Sequence, residues 1–140
     1  ARFGDPETQV VLPRLETDLL VVLEAVMEGR LADIQLQWKR EAAVCVILAS
    51  EGYPGSYPKG RVIEGLFDPE EQQKRQVYLF HSGTARKDGQ WITNGGRVLG
   101  VTALGEDLAA AREKAYRAIE EIRFEGMHYR KDIGLQGLSV

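Results

Sequence analysis

A chain of 140 residues with 44% hydrophobic and 28% charged residues has the balance of a globular domain, which excludes a disordered segment. Its net charge of −3 offers no basic footprint for nucleic acid, and no run approaches the ~20 apolar residues of a membrane span. The single cysteine, Cys45, rules out an internal disulfide, and with no signal-peptide pattern this usage fits a reducing, cytoplasmic setting.

In chain order, residues 1–36 read as helical. Asp5 is a good N-cap, Pro6 suits the first helical position, and Glu7 favours the positive end of the helix dipole. Pro13 limits this first segment. Thr17 then caps a second helix whose apolar positions Leu19, Leu20, Val22, Leu23, Val26 and Met27 follow helical spacing, and Gly29 is placed to end it. From Ile34 onward strands and glycine turns take over. The pattern predicts strands over 35–40, 42–49, 61–66, 76–82, 90–93 and 97–103. Lys87-Asp88-Gly89 and Asn94-Gly95-Gly96 carry hairpin-turn chemistry. One closing helix has Leu108, Ala111, Ala115, Ala118, Ile119 and Ile122 on its apolar stripe. Strands without alternating helices imply an antiparallel sheet. The expected fold class is therefore α+β: a β-rich antiparallel domain over 37–140 with one packed helix, preceded by two helices within 1–36.

Five blocks in order carry a family resemblance. They are Arg2-Phe3-Gly4-Asp5-Pro6-Glu7 with Thr8-Gln9, then Gly52-Tyr53-Pro54-Gly55 through Lys59-Gly60-Arg61-Val62-Ile63, then Phe80-His81-Ser82-Gly83-Thr84. Thr93 through Leu99 with Val101 through Gly105, and Phe124 through Gly134, complete the set. Together they resemble phosphoribosylamine–glycine ligase (glycinamide ribonucleotide synthetase), an ATP-grasp enzyme of purine biosynthesis, over nearly the whole chain. The resemblance implies that residues 1–36 end an ATP-grasp domain and that 37–140 form the ligase's C-terminal domain. It implies ATP and Mg2+ or Mn2+ as cofactors, glycine and phosphoribosylamine as substrates, and the remainder of the ligase chain as partner. In the family the opening motif follows a Glu-x-Asn pair that holds the metal. That pair is expected just before Ala1, so no metal ligand is expected in this chain, and the chain alone is expected to be inactive.

The implied chemistry makes glycyl phosphate from ATP and glycine, then lets the amine of phosphoribosylamine attack it. Such steps rest on positioning and on neutralising charge with metal ions and cationic side chains. Arg2 and Asp5 are the candidate catalytic residues, and Arg2, Gly4, Asp5, Lys59 and Arg97 the candidate substrate contacts. Each has a structural alternative. Arg2 holds an anion through its guanidinium fork or pairs with Asp5 or Glu7. Asp5 binds the substrate amine, caps the helix, or does both, and Glu7 stabilises the dipole. Lys59, with Tyr53 and Tyr57, sits in the Gly- and Pro-rich stretch 52–60, which either approaches a ligand closely or is a plain turn. Arg97 contacts phosphate or nucleotide, or merely follows a hairpin turn whose chemistry accounts for the glycines.

Other polar residues point to no chemistry of their own. His81 is expected to pack on a strand face and His128 to be exposed, with no partners at metal-ligand spacing. Ser82 lacks a nucleophile elbow, and no phosphate loop is present. Cys45, within an apolar run, is expected to be buried and inert. Two readings from other directions stay open: a non-catalytic binding or interaction module derived from such a ligase, and a related ATP-grasp ligase using another acid or amine.

Overall fold

Period-two alternation decides the architecture of the computed structural model, which describes residues 2–138. Strands β1 (Ala42–Ala49) and β5 (Arg97–Gly105) pair antiparallel, with Val46 opposite Val101 and Cys45 opposite Thr102. β2 (Val77–His81) joins the other edge of β5, so the order is β1-β5-β2. On one face Val44, Val46, Leu48, Val77, Leu79, Leu99, Val101 and Ala103 build the core under helix α4 (Leu108–Ile119). Ala111, Ala115, Ala118 and Ile119 are the buried positions of that helix, and their small side chains let it sit close to the sheet. Burying a Leu, Ile or Val here stabilises by roughly 1.5–3 kcal/mol each. Asp107 caps α4, accepting a hydrogen bond from Ala110 N at 2.7 Å.

The opposite face carries Cys45, Ile47, Gly100 and Thr102. The chain's start covers part of it: in α1 (Glu7–Val11), Gln9 O accepts a hydrogen bond from Thr102 Oγ1 at 2.9 Å. Leu12, Pro13 and Leu15 lie beside Tyr78 and Phe80. A second sheet is the hairpin of β3 (Thr84–Lys87) and β4 (Gln90–Thr93). Its two-residue turn has Asp88 at φ 49° and Gly89 at φ 79°, the primed geometry expected of Lys87-Asp88-Gly89. No helix among the described residues is long and apolar enough to cross a membrane.

Several expectations need correcting. Asp5 is not the N-cap of α1: Pro6 holds that position without a side-chain cap, and Asp5 instead accepts from Gln9 Nε2 at 2.7 Å. The α-helix stops at Val11, two residues before Pro13, as expected, and a 3-10 turn carries the chain through the proline from Leu12 to Arg14. Helix α2 (Leu19–Met27) is capped by Asp18, which accepts from Leu20 N at 2.8 Å; Thr17 Oγ1 is occupied by Gln37 N at 2.7 Å. Gly29, at φ 71°, follows the end of α2 as expected. The α2 stripe is not a core face here: Leu20, Leu23, Val26 and Met27 are exposed, Met27 by 87%.

Stretch 35–40 forms no strand, and Trp38 makes only one bridge, to Leu15. Stretch 61–66 is extended but divides its pairing. Arg61 O accepts from Thr93 N and Ile63 N donates to Trp91 O, both at 2.8 Å, whereas Glu64 pairs with Arg123. Strand β3 and helix α3 (Pro69–Arg75) were not expected, although α3 has a complete local signature. Asp68 caps it, Pro69 follows, acids fill the first turn, and Lys74 and Arg75 fill the last.

Candidate functional site

Arg97 opens β5 where the sheet meets the chain's first residues. Its Nε donates to Tyr53 Oη at 3.0 Å, and its Nη1 donates to Asp5 O and lies 3.5 Å from Asp5 Oδ2. The Tyr53 hydroxyl, and after it Asp5, raise the Arg97 guanidinium pKa above its ordinary value, so its charge is fixed. Both Asp5–Pro6 and Tyr53–Pro54 are cis peptide bonds.

Local packing explains the glycines around Arg97. β4 and β5 do not pair, so Asn94-Gly95-Gly96 is not a hairpin turn, contrary to expectation. A Cβ on Gly96 would lie 2.1 Å from Tyr53 Cδ2, and one on Gly83 would lie 2.5 Å from Gly95 Cα. The glycines are there for close approach. Ser50 ties the loop down from the other side, with N to Gly96 O and Oγ to Gly95 O, both at 2.8 Å. Tyr53 N in turn donates to Ser50 O at 3.1 Å.

A cavity of about 360 Å³ opens beside this cluster. Pro6, Ile47, Tyr53, Arg97, His128 and Arg130 are among its lining, which joins the start of the chain, β1, the 52–60 loop, β5 and the C-terminal segment. That last segment is held by mutual Ala49–His128 backbone hydrogen bonds at 2.9 and 3.1 Å, and by Tyr116 Oη donating to Arg130 O at 2.7 Å. Arg130 forks onto Asp132 at 3.0 and 2.6 Å and holds that carboxyl below the usual range. The walls are mainly aliphatic and aromatic with a few charged donors, an arrangement suited to a small polar molecule with an anionic group.

The structure thus brings Asp5 and Arg97 together, with Gly4 adjacent in the chain and its carbonyl accepting from Thr8 N and Oγ1. Arg2 and Lys59 stand outside that cluster: both are exposed, and neither has an ion pair or side-chain hydrogen bond among the described residues. Asp5 pairs with Arg97, so the expected alternative of an Arg2–Asp5 or Arg2–Glu7 pair is absent among them. His128 and Arg130 were not singled out as lining a site. Their only sequence signal was the Phe124–Gly134 block, because a backbone bridge to β1 brings them there. His81 is exposed at the end of β2. It stacks on Trp91 at 4.2 Å and meets Thr84 Oγ1 through Nδ1 at 3.0 Å. Cys45 is a buried free thiol whose pKa burial pushes up. Among the described residues no group of His, Cys, Asp or Glu is placed to hold a metal ion.

Comparison with known proteins bears on this geometry. The family described as "Phosphoribosylglycinamide synthetase, C domain" matches residues 43–136. Phosphoribosylamine–glycine ligase of Caldanaerobacter subterraneus is 53% identical, over 95% of this chain and 31% of the relative. The Synechocystis protein of the same name is 56% identical, over 98% of this chain and 32% of the relative. The crystal structure of phosphoribosylamine–glycine ligase from Thermotoga maritima superposes with a TM-score of 0.74 at 38% identity, over 94% of this chain and 31% of that one. It shares the mixed helix and antiparallel-sheet architecture. The chain spans about a third of the length of the relatives it matches.

Proposed function

The chain belongs to the phosphoribosylglycinamide synthetase C-domain family, and from that premise we propose that it works as the C-terminal part of an ATP-dependent ligase joining glycine to phosphoribosylamine. In this reading ATP phosphorylates the glycine carboxylate, and the amine of phosphoribosylamine displaces the phosphate from the acyl carbon to form the amide. This chain contributes positioning and positive charge. Arg2 holds the carboxylate or acyl phosphate, Asp5 accepts from the substrate amine, and Gly4 keeps the backbone close. Arg97 and Lys59 face substrate anions. The observation that carries this reading is the pinning of the Arg2–Glu7 motif, through Asp5, to Arg97 at the cavity wall.

Magnesium or manganese neutralises phosphate charge in such chemistry. In this reading its ligands and most of the ATP site lie in the remainder of the ligase. Residues 1–36 are read as the end of the ATP-grasp domain and 37–140 as the C-terminal domain. The family match beginning at residue 43 and the exposed apolar face of α2, which needs a partner, support that division. The same reading puts the protein in the cytoplasm or the equivalent biosynthetic compartment.

ADP release tests the reading. The 140-residue chain alone should release none from ATP, glycine and phosphoribosylamine. Joined behind the N-terminal two thirds of the Caldanaerobacter relative, it should turn over. Glycine-dependent ADP release by the lone chain would overturn the division of labour. A folded joined protein that binds these substrates without turnover would favour a non-catalytic binding module.

A further inference from the structure

We propose that Tyr53 is a positioning residue that fixes the direction in which Arg97 presents its charge to the substrate; the inference rests on the reading of Arg97 as a substrate contact. An arginine side chain is long and loses much rotamer freedom when it is held in one place. Arg97 is held at two points of its fork: Tyr53 Oη takes Nε, and Asp5 takes Nη1. Nη2 has no hydrogen-bond partner among the described residues, and the side chain lines the cavity while 38% exposed. With Nε and one Nη1 proton engaged, the remaining donors are those of the outer edge, which is the edge that grips a carboxylate or phosphate oxygen.

Tyr53 can act this way because its own ring and backbone are held in place. Its ring lies against Gly96, where no Cβ fits, and its backbone N–H is tied to Ser50, which also binds Gly95. Tyrosine and arginine are therefore fixed to the same Gly95-Gly96 segment, Tyr53 from the 52–60 loop and Arg97 as the first residue of β5. A phenol suits the position better than a carboxylate. It accepts from Nε without adding a second negative charge to that of Asp5, so it weakens the field that reaches the cavity less than a carboxylate would. The substrate group addressed is a carboxylate or a phosphate, and the two sources are separable by assay.

Steady-state kinetics of a complete ligase carrying this chain as its C-terminal part test the inference, with the KM values for glycine and phosphoribosylamine measured separately. Tyr53→Phe removes only the oxygen. It should raise one of the two KM values about tenfold, with kcat changed less than about twofold and the melting temperature unaltered. Which KM rises identifies the carboxylate or the phosphate. Arg97→Ala should raise the same KM, and Tyr53→Phe should add nothing in that background, because it acts only through the guanidinium. An unchanged KM in Tyr53→Phe with a raised KM in Arg97→Ala would overturn the positioning role alone. Unchanged KM values in Arg97→Ala would overturn the reading of Arg97 itself. A second readout uses the 140-residue chain by NMR. The Arg97 Nε proton should exchange slowly in the wild type and rapidly in Tyr53→Phe, and rapid exchange in both would also overturn the proposal.

Discussion

Replacing Cys45 by serine probes the sheet face that lies under the cavity. The residue is 7% exposed and sits opposite Thr102 on β5, with both side chains on the same face of the sheet. A buried hydroxyl without a partner costs about 1–3 kcal/mol. Here Thr102 Oγ1 gives its proton to Gln9 O and still has lone pairs free, so it is the acceptor expected for the introduced hydroxyl. The expected cost is therefore at the low end, about 1 kcal/mol, or roughly 2–6 °C in melting temperature for a domain of this size. Urea unfolding measures it, and a double-mutant cycle with Thr102→Val isolates the new hydrogen bond. With the threonine hydroxyl gone the serine is left unpaired, so the coupling should be about 1 kcal/mol. Thiol labelling is the companion assay: burial raises the Cys45 pKa, and the native chain should react far more slowly than the unfolded one. The same shift fixes a pH effect. The unfolded thiol ionises first as pH rises past its ordinary value, so this contribution to stability is complete below that value and declines above it. Rapid native-state labelling, or a Cys45→Ser cost well above 3 kcal/mol, would show that the residue is not packed as described.

Three further outcomes are expected. Gly65→Ala should cost more than about 2 kcal/mol by denaturant unfolding, because φ is 76° and the new Cβ would meet the Glu121 carbonyl oxygen at 1.9 Å; Gly89→Ala, where nothing lies within 4 Å, should cost only about 1. His81, exposed but with its ring partly desolvated against Trp91, has its pKa lowered by that desolvation and then by Arg86. The unfolded chain therefore binds the proton first as pH falls through about 6.5, stability should decrease from pH 7 to 6, and His81→Phe should flatten that slope in thermal melts. Arg2→Ala in a complete ligase should lower kcat/KM roughly ten- to a hundredfold with little change in melting temperature, and Arg2→Lys should recover only part; a large drop in melting temperature with normal kcat/KM would make Arg2 a structural residue.

Where burial and secondary-structure period coincide, the fold was legible. The apolar run at 42–49 and the small-residue stripe of α4 became β1 and the helix above it, since each has a face that only the core can satisfy. β3 was missed because Thr84-Ala85-Arg86-Lys87 has no apolar alternation; the two-residue turn and the pairing with β4 hold it in place. Stretch 61–66 failed for the opposite reason. Its pattern is strand-like, but Gly65 lets the chain leave β4 and pair Glu64 with Arg123, so no single partner runs its length. In α2 the spacing was helical as read, but its apolar stripe stays exposed among the described residues.

The site was less legible because the sequence places its parts far apart. Arg97 and Asp5 are separated by 92 positions, and Arg97 and Tyr53 by 44. No window of the chain contains any two of them, so composition and periodicity are silent on the contact. Motif resemblance named Asp5 and Arg97 individually, while turn chemistry assigned the glycines before Arg97 to a hairpin turn that β4 and β5 do not form. The steric demand of Tyr53 against Gly96 replaces that explanation and connects the two motifs physically: a glycine is needed where one block's aromatic ring must lie flat on the other block's backbone. Once the ring is there, its hydroxyl reaches Nε of the next residue's side chain, and the start of the chain closes the third side. The cavity then follows from packing alone, because a fixed guanidinium, a cluster of aromatic walls and the returning C-terminal segment leave space that no side chain fills.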